Sequence, residues 1–231
     1  MRRLASILLV SVLALVAACG GDEDGGGDFS DVDADDLLDR SATTMEGVDT
    51  FHFVVEHKNG DTQIVAGLAM TRAEGDVQGT DRMQLQVEAR FAATNIETGI
   101  VVLPGESYLQ NPLTGRWQEQ EIDISDLFDP ATGVTGLMRA VSDVEVIDRE
   151  AVDGVDSYVL STQVDSGNLT AFVGNAQPGT QVTARVWIGA EDLLVRRIEI
   201  EGPVAPNDAE DILRRLSLSG FGEPVEISAP S

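Results

Sequence analysis

Apolar and polar positions alternate with period two along most of this 231-residue chain. In "RMQLQVEARF" the alternation is complete. Met83, Leu85, Val87, Ala89 and Phe91 occupy one face and Gln84, Gln86, Glu88 and Arg90 the other, which predicts a strand with one wet face. The runs "TFHFVVEHK", "TQIVAGLAMTRAEG", "NIETGIVVLPG", "SYLQNP" and "RWQEQ" extend the pattern, with turn residues at Asn59-Gly60-Asp61, Gly75-Asp76, Pro104-Gly105 and Leu113-Thr114-Gly115. Connections this short join antiparallel neighbours. Later come "VEVIDREAV" and "DSYVLSTQV" across Asp153-Gly154, then "TQVTARVWIGA", "LLVRRIEIEGPV" and "ILRRLSLSGFG".

Three stretches break the period. In "ADDLLDRSATTMEG", Leu37, Leu38, Ala42 and Met45 recur at helical spacing, with Asp33 as N-cap and Gly47 as stop. In "LFDPATGVTGLMRAVSD", Asp129 is placed to cap, Pro130 to start a helix, and Val134, Leu137, Met138 and Val141 to form its apolar stripe. "DSGNLTAFVGNAQPG" predicts a short helix carrying Leu169, Phe172 and Val173. The result is an α+β chain: a long antiparallel meander with few helices, whose apolar face must be covered by the far side of a curved sheet. No repeat and no second domain boundary interrupts it.

The first residues follow another logic. Arg2 and Arg3 precede "LASILLVSVLALVAA", the layout of a secretory signal peptide, and the apolar run is shorter than the ~20 residues of a spanning helix. The single cysteine, Cys19, stands directly after Ala17-Ala18 in "VAAC", the lipobox pattern of bacterial lipoproteins. That resemblance implies diacylation of Cys19 and cleavage before it, and two acyl chains hold a protein at a membrane where one is marginal. The other reading is a fortuitous cysteine in a plain signal peptide. "GGDEDGGGDFSDVD" then cannot pack a core and reads as a flexible acidic tether reaching ~20 Å. The organisation expected is therefore a signal peptide over 1–18, an acylated cysteine and tether over 19–32, and one domain over 33–231.

Charge excludes several classes of partner. Acidic residues outnumber basic ones 40 to 15, and losing Arg2 and Arg3 with the leader moves the net charge from −25 to about −27. Such a field repels phosphate backbones, so nucleic acid is not a partner, and it keeps the domain from lying flat on anionic headgroups. Asp31, Asp33 and Asp35 spell the start of a calcium loop, but Asp36 stands at its glycine position and Ala42 at its glutamate position. His52 and His57 are five apart in one strand and point to opposite faces, so they share no metal and each reads as an ordinary surface or edge residue. No nucleophile elbow, phosphate loop or zinc motif occurs, and the chain reads as a non-enzyme without cofactor. With aromatics at 5%, the interior is aliphatic, which suits both a packed core and the wall of an apolar pocket.

The order of "DPATGVTGLMRAVSDVE", "VDGVDSYVLS", "VWIGAEDLLVRRIEIEG" and "LSLSGFGEPVEISAPS", together with the lipobox, resembles the LppX/LprG (LprAFG) lipoproteins of mycobacteria and their relatives. The likeness is clearest over residues 125 to 231. It implies a strongly curved antiparallel half-barrel with helices packed on its concave side, similar to the LolA/LolB carriers. It also implies a lipid or glycolipid held between sheet and helices, carried or presented at the extracytoplasmic face of the cell membrane, with an envelope lipid transporter as a further partner. On that fold the inward apolar positions expected to line the hollow are Val54, Ile64, Leu85, Val87, Val101, Leu160, Val186 and Ile198 from strands, with Leu137, Val141 and Phe172 from helices. The rival is an envelope lipoprotein that binds a protein partner through the same fold with a collapsed cavity.

Overall fold

The computed structural model describes residue 29 and residues 31–64, 68–91, 94–122, 124 and 133–230. The expected signal peptide, Cys19, almost all of the expected tether and the expected helix start at Asp129-Pro130 lie outside the described residues.

Helix α1 (Ala34–Glu46) opens the domain. The Asp33 carboxylate accepts a hydrogen bond from the Asp36 N–H at 3.0 Å, satisfying one of the donors left free in the first turn. Leu37, Leu38 and Ala42 are buried on one face. β1 (Thr50–Lys58), β2 (Thr62–Gln63), β3 (Ala69–Gln78), β4 (Arg82–Phe91), β5 (Thr94–Leu103), β6 (Glu106–Gln110) and β7 (Trp117–Glu119) form the first half of the sheet. Helix α2 covers Val134–Ala140, with Gly133 as its N-cap. β8 (Glu145–Val152) and β9 (Val155–Asp165) follow, then a 3-10 turn η1 (Ser166–Leu169), and β10 (Gln181–Gly189), β11 (Val195–Glu201) and β12 (Leu213–Ser219) complete the chain.

Among the described residues all twelve strands belong to one antiparallel, open sheet in the order β7-β6-β5-β4-β3-β1-β12-β11-β10-β9-β8, with β2 paired to β3. Each half is a meander of sequence neighbours. The join is long-range: β1 pairs with β12 from His52↔Ser219 to Lys58↔Leu213. A twelve-stranded sheet twists and coils by its own stereochemistry. Its inner face is then closed by α1 and α2.

Specific bonds hold those helices in place. Ser41 Oγ–H donates to the Leu193 carbonyl at 2.8 Å, and the Val195 N–H donates to Met45 Sδ at 3.4 Å, tying α1 to the β10–β11 hairpin. Arg139 of α2 reaches three groups on α1: the Glu46 carboxylate, the Thr43 hydroxyl at 3.2 Å and the Asp39 carboxylate at 3.4 Å. The hydrogen bond from Arg139 holds the Glu46 carboxyl below its ordinary range.

Three local expectations need correction. "TQIVAGLAMTRAEG" is two strands, because the chain folds back after Gln63 and the Ile64 N–H donates to the Leu68 carbonyl at 2.9 Å. Gly75-Asp76 is not a turn: β3 runs through it and reverses at Gly79, whose φ of +64° suits glycine. Gly75 instead permits a close approach, since a Cβ there would lie 2.0 Å from the Gln84 carbonyl oxygen and 2.7 Å from Leu85 Cα. Finally, "DSGNLT" forms a single 3-10 turn, with the Asp165 carboxylate accepting from the Gly167 N–H at 2.9 Å.

Candidate functional site

The inner face of the sheet is built by register. Val87 pairs with Ala73, Ala73 with Val55, Val55 with Leu216, Leu216 with Ile198, Ile198 with Val186, and Val186 with Leu160. Because side chains alternate along every strand, this one row of pairs points seven apolar side chains the same way across seven strands. A parallel row beside it, Leu218 with Phe53, Phe53 with Gly75, Gly75 with Leu85 and Leu85 with Ile100, repeats it.

These rows do not meet the helices in ordinary close packing. Between them lies a hollow of about 980 Å³. Strand residues Phe51, Phe53, Val55, Ala73, Leu85, Ile100, Leu160, Val186, Ile198 and Leu216 line it, and from the helical side Leu38, Met45, Leu137, Met138, Val141, Phe172 and Val173 do so. The volume is at the upper end of the ~300–1,000 Å³ typical of small-molecule sites. The wall is overwhelmingly apolar, with Glu46, Thr80, Thr135 and Asn175 among its few polar members.

Nine of the residues singled out from sequence border this hollow: Ile64, Leu85, Val87, Leu137, Val141, Leu160, Phe172, Val186 and Ile198. Val54 and Val101 do not, and both are on the opposite side of the sheet. Val54 pairs with Glu74 and Ser217, in phase with the outward row, while Phe53 and Val55 on either side of it turn inward. Val101 packs with Leu103 and Ile227 under the C-terminal segment. Both errors have one cause: "FVV" and "IVVL" place apolar residues on consecutive positions, so local alternation carries no phase. The pairing partners decide it.

His57 also departs from expectation. It is half-buried and lines the hollow, whereas His52 is on the other face with Nδ1 2.9 Å from the Asp76 carboxylate. His57 Nδ1 is 3.0 Å from the Thr71 carbonyl oxygen, which only accepts, so the ring proton sits on Nδ1. Nε2 then accepts from the Thr62 hydroxyl at 2.8 Å, and the same hydroxyl oxygen accepts from Arg214 Nε–H at 3.0 Å. The imidazole is thus held neutral. Burial lowers its pKa below the ordinary 6.5, the Arg214 charge adds to that effect, and the Thr71 bond opposes it. The unfolded chain therefore binds the proton more readily than the fold, so stability is retained above 6.5 and declines as pH falls below it. Urea midpoints measured from about pH 7 to 5 should fall for the wild type and stay flatter for His57→Gln. Equal slopes would remove His57 from the acid sensitivity.

Arg214 went unnoticed from sequence, as one of two arginines in "LRRL". Its register partner across the sheet is His57, so the parity that turns Leu216 and Leu218 inward turns Arg214 inward too. It is 7% exposed and ion-paired at 2.8 Å to Asp208, whose side chain is equally buried. Among the described residues there is no group of three or more His, Cys, Asp or Glu placed to hold a metal, and no helix long and apolar enough to cross a membrane.

Against known proteins, residues 33–227 match the family described as LppX_LprAFG lipoprotein. The chain is 24% identical to the lipoarabinomannan carrier protein LprG of Mycobacteroides abscessus, over 99% of this chain and 98% of that protein. It is 25% identical to lipoprotein LprA of Mycobacterium tuberculosis, over 95% and 94%. The fold superimposes on the crystal structure of LprF from Mycobacterium bovis with a TM-score of 0.69 at 19% identity, covering 86% of this chain and 97% of that one. For LppX of Mycobacterium tuberculosis the TM-score is 0.64 at 18% identity, covering 84% and 98%.

Proposed function

The chain belongs to the LppX/LprAFG lipoprotein family, and from that premise we propose that it is a membrane-anchored carrier that binds the acyl chains of a lipid or glycolipid in the hollow between sheet and helices. Cys19 is its acylation site, and the anchored domain works on the extracytoplasmic face, taking up or presenting its cargo in the envelope. It acts by binding, without catalysis.

One observation carries the reading. A void in a protein interior costs ~24 cal/mol per Å³. A closed, dry void of about 980 Å³ would then cost on the order of 20 kcal/mol, more than the ~5–15 kcal/mol by which a domain is stable, so this hollow, which is partly open to solvent, is not one. A hollow of this size is no packing defect, and apolar walls are a poor container for water. Hydrocarbon suits them: each methylene removed from water contributes ~0.8 kcal/mol, so a few acyl chains supply affinity without any polar contact. The same volume counts against the protein-binding rival, which needs the interior collapsed.

The test is mass spectrometry of the full chain purified from its own envelope. A defined lipid released by solvent at near one-to-one ratio is expected, together with an N-terminal peptide that begins at a diacylated Cys19. A protein that carries no lipid and takes up none when offered would sink the carrier reading; an unmodified Cys19 would sink the anchor.

A further inference from the structure

Two helices close the hollow, and they are not held alike. α1 has 13 residues, begins on the Asp33 cap and is tied to the β10–β11 hairpin through Ser41 and Met45. α2 has 7 residues, and its N-cap, Gly133, makes no side-chain capping bond. A helix that short is marginal unless packing supports it. Its side chains Val134, Leu137, Met138 and Val141 border the hollow, where an empty interior offers them few partners. On the outside, Arg139 reaches across the seam between the helices to Asp39, Thr43 and Glu46, which recur along one side of α1.

Glu46 itself lines the hollow, so the seam that Arg139 bridges is part of its boundary. The bridge is wet: the Arg139 side chain is 32% exposed, Glu46 41% and Asp39 67%. Ion pairs so exposed are weak, and thermal motion breaks them. After α2 the chain runs as irregular backbone from Val141 to Val144, with Asp143 in the left-handed region at φ +55°, before β8 begins. Short connectors of this kind absorb the dihedral changes of a swing. The Ser142 carbonyl accepts from the Thr162 hydroxyl at 2.9 Å, which pins the connector to β9 and sets the pivot.

We propose that α2 is the door of the hollow and Arg139 its latch: when the guanidinium leaves Asp39, Thr43 and Glu46, α2 swings about the connector at Ser142 and opens the seam to cargo. The purpose of the door rests on the hollow being a lipid site. Cargo also acts on it from within. Hydrocarbon packed against Leu137 and Met138 gives α2 the contacts that an empty hollow lacks, so a loaded carrier stays shut and an empty one is held by the latch alone.

Thiol labelling tests it. Val186→Cys puts a thiol on the wall in β10, and Val159→Cys, at a position 3% exposed on the opposite face of the sheet, is the unfolding control. The full chain, in membranes of its own envelope, is treated with fluorescein maleimide, and the label at each position is read by peptide mass spectrometry. Arg139→Gln should speed labelling at position 186 about fivefold, the upper worth of an exposed ion pair, and leave position 159 unchanged. Asp39→Asn with Glu46→Gln should do the same from α1, and adding Arg139→Gln to that pair should change nothing more, because both sides remove one coupling. Raising salt from about 0.05 M to about 0.5 M should speed the parent and not the Arg139→Gln variant. Unchanged labelling at position 186, equal acceleration at position 159, or additive effects of the two sides overturn the latch. The lipid site is judged separately: added hexadecanoic acid should slow labelling at position 186, and if it does not while the latch effects persist, the lipid reading fails without touching the latch.

Discussion

Leu85→Trp is expected to lower the lipid that co-purifies with the protein at least about tenfold, a loss of ~1.4 kcal/mol in binding, while the domain stays folded. Leu85 is on β4 opposite Ile100, half-buried, with its side chain on the wall of the hollow. An indole there extends into space that an acyl chain would occupy. In a well-packed core the same enlargement costs about 1–3 kcal/mol and displaces the backbone. A hollow of about 980 Å³ absorbs it. Ile198→Trp, from the other half of the sheet, should behave alike because Ile198 belongs to the row that crosses β11. The measurements are lipid-to-protein ratio by mass spectrometry and thermal midpoint. A midpoint within a few degrees of wild type with depleted lipid is the expected pair of results. Aggregation, or a large fall in midpoint with lipid retained, would mean that these side chains belong to a packed core.

Gly75→Ala is expected to destabilise the domain by about 3 kcal/mol or more, the upper range for overpacking. The Cβ would meet the Gln84 carbonyl oxygen at 2.0 Å and Leu85 Cα at 2.7 Å, both backbone atoms that can yield only if β3 and β4 part. Those strands carry the row of side chains on one flank of the hollow, so lipid loading should fall with stability. Gly79→Ala is the control. There the strain is a left-handed φ of +64° in the turn, with nothing closer than an Asp81 carboxylate oxygen at 3.8 Å, and the expected loss is only about 1 kcal/mol. Urea denaturation of both variants separates the mechanisms. Equal losses would mean that Gly75 serves only as a flexible residue.

The period-two pattern and its short turns were enough to place most strands and their antiparallel order, since both are local properties of the chain. "RMQLQVEARF" forms β4 from Arg82 to Phe91, and "TFHFVVEHK" forms β1. The cap at Asp33 is local in the same sense. The order of segments in the second half also carried the family. Local reasoning failed where it had nothing to measure against: "FVV" and "IVVL" have no phase of their own, Gly75-Asp76 looks like a turn because its need is set by a neighbouring strand, and Arg214 is indistinguishable in letters from Arg215.

Sequence by itself therefore determined the strands, the helix cap, the antiparallel class and the family. Tertiary structure alone decided which side of each strand faces the hollow, because β1 and β12, separated by most of the chain, must pair before Val55, Leu216 and Ile198 share a row. The same pairing sets His57 against Arg214 on the inner row and Arg215 beside Glu56 and Glu199 on the alternate one. A period of two specifies alternation but not its phase, and phase is a long-range quantity.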